Sequence, residues 1–182
     1  MDADLQDTLR QIDQATERLL RTVDGWSDGD ARQASLLPDW TRGHVLTHVA
    51  RSADALRVLL EGVQAGTPRT LYATAEERDA AIEAGAGSSM TDLRTDLTTS
   101  ATAFRSAVVA HPVDAWSTPV RFRFGDPFPA SETLIRRLVE VELHHTDLGA
   151  GYGPADWPTD FATVELDEPM RTWRATRTSL DR

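Results

Sequence analysis

Five histidines stand in this 182-residue chain, and four of them fall into two pairs, His44 with His48 and His144 with His145. A helix completes a turn in about 3.6 residues, so side chains four apart share a face, roughly 5–6 Å apart at Cβ. His44 with His48 and Glu140 with His144 both have that spacing. Neutral imidazole and carboxylate are good donors to zinc (Zn2+), and three protein ligands leave a position open for water or substrate, as in catalytic sites. An isolated histidine on an apolar face is ordinarily a packed, hydrogen-bonded residue. Two pairs with acidic neighbours point instead to a metal, while His111, beside Pro112 at a helix end, reads as structural.

The elements that must position these groups are helical. Leu5, Leu9, Ile12, Ala15, Leu19 and Val23 recur at spacings of three and four, which predicts a first amphipathic helix over residues 3–24. Gly, Asp, Ser and Pro break the chain over 25–38, and a second periodic run from Thr41 to Gln64 carries His44 and His48. Residues 65–89 read as a long excursion around a short helical stretch at 75–84. Ser89 or Thr91 can cap a third helix that ends near Ala110, before His111-Pro112. Residues 113–128 suit a hairpin or extended loop, with Val120 to Phe124 alternating as a short strand would. The fourth helix, Ala130 to Leu148, ends at Gly149, Gly151 and Gly153. A final helix around Phe161, Val164, Leu166, Met170 and Trp173 is expected, kinked or started by Pro169. The fold class is therefore all-α, a four-helix bundle with one long connection and a short hairpin or loop before the fourth helix. Residues 1–155 are expected to form the bundle and 156–182 a helical extension without a full second domain.

Angular position separates the histidines only in part. On the second long helix Val45, Val49, Ser52, Leu56, Leu59 and Leu60 mark the inner stripe, with His48 inside its margin and His44 further toward solvent. On the fourth, Leu134, Leu138, Val141 and Leu148 centre the stripe nearest His145, leaving Glu140 and His144 at its edge. Periodicity alone thus keeps His145, with Glu142, as a competing ligand pair.

Composition removes several function classes. The formal charge of −10 repels nucleic-acid phosphates and anionic membrane surfaces, and no basic cluster offsets it. The absence of cysteine excludes disulfides, thiolate ligands and a cysteine nucleophile, so any thiol in the chemistry comes from outside. No apolar run approaches the roughly 20 residues that span a bilayer, and the acidic N-terminus lacks the pattern of a signal peptide. A cytoplasmic protein that acts on small molecules is the expectation.

Residues 37–56 (LPDWTRGHVLTHVARSADAL), 129–134 (PASETL) and 140–150 (EVELHHTDLGA) resemble the mycothiol-dependent maleylpyruvate isomerase family, within the wider DinB/YfiT-like metal-binding bundles. The resemblance covers the chain from the first helix to about residue 150. It implies His48, Glu140 and His144 as metal ligands and takes His145 out of the ligand set. Tyr72, Glu77, Arg78 and Ile82 resemble the family's loop that roofs the pocket, and Tyr72 and Arg78, with Arg42, whose place after Trp40-Thr41 near the start of the second long helix brings it toward the pocket, are the expected contacts to cofactor or substrate anions. The implied cofactors are zinc, or another divalent metal, and mycothiol, the small thiol of actinobacteria.

The implied chemistry follows from acidity. A thiol with a pKa near ~8.5 becomes a thiolate when it meets zinc. In the isomerase that thiolate adds to the cis double bond of maleylpyruvate, allows rotation, and leaves; in an S-transferase it stays attached. The partners are then a small-molecule thiol and an electrophilic substrate, and an exposed bundle face is compatible with a homodimer. Family isomerases continue into a separate C-terminal domain, whereas here the last 30 residues match poorly, so roles for Trp173 and Arg174 stay open. Two other classes compete: a non-catalytic zinc module or anti-sigma-type regulator, and metal-dependent hydrolysis with Glu142 as base.

Overall fold

The computed structural model describes residues 1–123 and 125–180. Four long helices, α1 (Ala3–Thr22), α3 (Arg42–Gln64), α5 (Met90–Val109) and α6 (Glu132–Asp147), make the bundle, as the periodicity predicts. α3 packs on both α5 and α6, α6 on α1, and the α1–α5 seam is the loosest. The core runs through all four, with Ala15, Leu19, Val45, Val49, Leu60, Phe104, Leu134 and Val141 almost wholly buried. No helix among the described residues is long and apolar enough to cross a membrane.

The helix starts follow local chemistry. Asp2 accepts a hydrogen bond from the Leu5 amide at 2.9 Å and caps α1, and Ser89, one of the two expected caps, serves α5. Thr41 caps α3 in a reciprocal box: its hydroxyl accepts from the His44 amide, and His44 Nδ1 accepts from the Thr41 amide. At the far end of α6, Gly149 takes φ +61°, the left-handed turn that glycine closes without a Cβ penalty.

Four segments differ from expectation in detail. The break over 25–38 contains a single-turn helix, α2 (Asp28–Ala31), because Ser27 and Asp30 cap one another. The excursion at 75–84 is a full helix, α4 (Ala75–Ala86), capped by Thr74 and seated on α3. The expected strand shrinks to a two-residue ladder, β1 (Pro119–Val120) against β2 (Phe128–Pro129), in which Pro119 faces Pro129 and neither can donate an amide; Phe124 lies outside the described residues. The tail makes two helices rather than one, α7 (Thr159–Thr163) and α8 (Met170–Leu180), with Pro169 just before α8. Phe161, Leu166 and Met170 bury this tail against the bundle, and Arg174 donates to the carbonyls of Phe161 and Val164.

Candidate metal centre

α3 and α6 face each other where His48 meets Glu140 and His144. His48 Nε2 lies 3.0 Å from Glu140 Oε2, and His144 Nε2 lies 3.4 Å from the same oxygen. Ligand atoms of all three residues fall within 4.8 Å of one another. The two rings meet edge to face, centroids 4.5 Å apart. Despite these close nitrogens, Glu140 Oε2 is buried and has no hydrogen bond of acceptable geometry. Three donors that crowd together without satisfying each other suit a common cation: ligands at about 2.0–2.1 Å from a tetrahedral zinc stand roughly 3.3 Å apart. The residues therefore fit a divalent metal.

Electrostatics prepare the donors. Burial alone would raise the Glu140 carboxyl, but the positive ends of the facing His48 and His144 rings overcome it and hold the group well below the usual range. Burial pushes His48 below its ordinary value, toward the neutral form that ligates metals, against the pull of Glu140. His144 runs the other way: burial opposes its proton, yet Asp147 and Glu140 raise it to about 9. Its Nδ1–H donates to Asp147 Oδ2 at 2.9 Å, which leaves Nε2 turned to the cluster. Arg137, wholly buried one turn before Glu140, donates to Val49 O and Ser52 Oγ and adds positive potential behind the carboxylate; desolvation brings it down to about 10.

A cavity of about 310 Å³ opens over His48 and Glu140. Leu56, Leu71, Phe122, Met170 and Trp173 supply much of its wall, and Arg51, Arg136, Tyr72 and Arg78 its polar groups. Arg51 pairs with Asp54 and Asp96. Arg136 pairs with Glu132 and lies 3.9 Å over the Phe128 ring. Tyr72 and Arg78 thus line the cavity as the family loop implied, whereas Glu77 caps its own turn through the Ala73 amide and Ile82 packs into the core.

Arg42 falls outside the cavity. Its guanidinium is taken up by Leu148 O, Gly149 O and Gln33, and lies over the Trp26 ring, because the start of α3 faces the end of α6. His44 is committed to the helix cap and to Glu83, 3.0 Å from Nε2. His145 points to α1, bonds Thr22 at 2.7 Å and stacks on Tyr152; burial drives it down to about 4, a neutral packing residue. Glu142 is buried on the same α1 side with Arg18 and Tyr152, which removes it as a base at the cluster. His111 packs on Trp116, as a structural histidine should.

Arg78 makes a contact with a consequence. Its Nη2 donates to His48 Nδ1 at 3.0 Å. Guanidinium only donates and neutral imidazole carries one N–H, so the His48 proton sits on Nε2, facing Glu140. Were His48 to offer Nε2 to a metal, its proton would have to sit on Nδ1, where it would displace the Arg78 donor. Arg78→Met is therefore expected to bind zinc more tightly, by about tenfold for a charge-assisted hydrogen bond of roughly 1.5–3 kcal/mol, as read by chelator competition. Equal or weaker binding would show that the contact costs the metal nothing.

Fold and cluster together define a class: a four-helix bundle holding a His–Glu–His group able to take a divalent ion under a partly apolar cavity. Residues 12–149 match the family described as mycothiol maleylpyruvate isomerase N-terminal domain, and the chain belongs to that family. It is similar to the crystal structure of the mycothiol-dependent maleylpyruvate isomerase, with 32% identity and a TM-score of 0.81 over 86% of this chain and 65% of that one. A histidine-to-alanine mutant of that isomerase aligns equally well, at 31% identity and TM-score 0.81. The chain thus spans just under two thirds of the isomerase it resembles. No curated protein matches it significantly.

Proposed function

We propose that the protein is a zinc-dependent enzyme that uses mycothiol to attack an electrophilic carbon, with cis–trans isomerisation of a maleylpyruvate-like acid as the leading reaction. The convergence of His48, Glu140 and His144 on one point open to a cavity carries the reading. When bound there, a divalent metal supplies one thing: it lowers the pKa of a thiol from about 8.5, making thiolate available at neutral pH.

The chain's own residues do the rest. Glu140 would offset part of a bound metal's charge, His48 would donate as the neutral imidazole that burial favours, and His144 would give up its Nε2 proton to do the same. The apolar walls keep bulk water from the reacting carbon, which strengthens every polar contact inside. Burial raises the Tyr72 phenol above its ordinary value, so it keeps its proton and can donate to a carbonyl or carboxylate of the electrophile. Release of Arg78 from His48 on metal binding would add a cation at the rim. S-transfer is the second reading, favoured by Leu71, Phe122 and Trp173, which offer an apolar electrophile more surface than a small dianion uses.

The test incubates zinc-loaded protein with mycothiol and maleylpyruvate, following isomerisation and adduct formation. Turnover that requires both zinc and mycothiol is expected, and Tyr72→Phe should lower kcat/KM by about tenfold for one lost hydrogen bond. Tight zinc binding with neither isomerisation nor adducts would leave a non-catalytic module in its place.

A further inference from the structure

α8 lies outside the residues that match the family, yet one of its faces is turned to the metal cluster. Met170, Trp173 and Arg177 follow one another at spacings of three and four, a single helical stripe. Met170 and Trp173 close the cavity wall. Arg177 reaches Asp147: its Nη2 donates to Oδ2 at 2.7 Å and its Nε to Oδ1 at 3.1 Å, the two-point grip of a planar guanidinium. Asp147 is almost wholly buried, and its Oδ2 is the oxygen that accepts the His144 Nδ1–H. A continuous chain of hydrogen bonds therefore joins α8 to the imidazole facing Glu140.

We infer that α8 is a working part of the metal centre and that Arg177 is its positioning residue, fixing the direction of His144 Nε2 through Asp147. The inference rests on the metal reading above. Both Asp147 oxygens are held by Arg177, so the carboxylate cannot rotate away from His144, and the ring is held with Nδ1–H on Asp147 and Nε2 toward Glu140. With Arg177 gone, a buried carboxylate retains a single partner and both it and the ring gain freedom. Groups that orient metal-bound histidines typically contribute 10–100-fold in affinity.

The experiment measures zinc affinity by chelator competition for wild type, Arg177→Met, Arg177→Lys, Asp147→Asn and the Met/Asn double variant. Thermal unfolding of the metal-free forms separates lost folding from lost positioning. Arg177→Met is expected to weaken zinc about tenfold while the metal-free protein stays folded, and Arg177→Lys to restore part of it, since an ammonium cannot grip both oxygens in a plane. The double variant should bind no more weakly than Asp147→Asn alone, because both changes cut one chain. Undiminished affinity in Arg177→Met, or losses that simply multiply in the double variant, overturns the inference while wild-type uptake leaves the site reading intact. A wild-type chain that takes up no zinc overturns both.

Discussion

Replacing His48 by alanine is expected to remove zinc binding while the bundle stays folded. Structural zinc sites bind with about 10–16 kcal/mol over four ligands, so one lost ligand costs roughly 3 kcal/mol or more, at least about a hundredfold in affinity. His48 reaches the cluster from α3, and no other residue of α3 offers a ligand atom to the group. His44, one turn earlier, is bound into the helix cap and to Glu83. The metal-free protein should tolerate the change, since His48 sits at the cavity floor, and what it loses there, the polar contacts to Arg78 and Glu140 and the ring edges of Trp40 and His144, lies outside the apolar core. The informative control is His145→Ala. It should lower thermal stability by removing the stack on Tyr152 and the Thr22 hydrogen bond, yet leave zinc affinity within about twofold of wild type, because its ring faces α1, away from the cluster. Isothermal titration of the metal-free proteins reads both. Equal loss in the two variants would mean that zinc uptake reports folding and not a site.

Gly43→Ala should destabilise the protein by about 2–4 kcal/mol, the range of severe overpacking. The sign is diagnostic, since alanine in a helix interior ordinarily gains about 1 kcal/mol over glycine. Here a Cβ would lie 2.2 Å from Ala86 O and 3.2 Å from Ala86 C, both backbone atoms of α4. No rotamer change relieves a clash with backbone. The two helices must part, and α4 carries Arg78 and leads back to Tyr72, so the roof of the cavity moves with it. Gly85, whose Cβ would meet Thr47 of α3 at 2.5 Å, seals the same contact from the other side. Urea denaturation should show a lower midpoint with an unchanged slope. A variant as stable as wild type would mean that α4 does not seat on α3.

Much of the bundle is legible in the amino-acid sequence. Its four helices follow from apolar spacing because each buries one stripe, and Ser89 and Thr41 mark starts through hydrogen bonds confined to a single turn. The ligands on α6 are the harder case. The centre of its apolar stripe points into the densest packing, toward α1, and so selects His145. The cluster forms where α6 turns from the bundle axis to α3, at the margin of that stripe, which is where a cavity can exist. Helical spacing offers Glu140 and His144 as one pair among others, and only the resemblance of residues 140–150 to a family selects them over His145 and Glu142.

Other features depend on contacts that no local pattern encodes. Arg42 reads as a pocket residue from its place beside Trp40, but the carbonyls that hold it come from the end of α6. Asp147 stands three residues after His144, a helical neighbour within reach of spacing arguments. Its partner Arg177 lies 30 residues further on, in α8 and beyond α7. The strand over Val120 to Phe124 alternates convincingly in sequence, yet two prolines in the ladder limit it to one pair of short segments.

A single divalent metal is expected between α3 and α6. X-ray diffraction from zinc-loaded crystals at the zinc absorption edge tests it most directly. The account predicts one strong anomalous peak, with His48 Nε2, a Glu140 oxygen and His144 Nε2 at about 2.0–2.2 Å and an open position facing the cavity. No peak at that point, or zinc held instead by His44, His145 or Glu142, would contradict it.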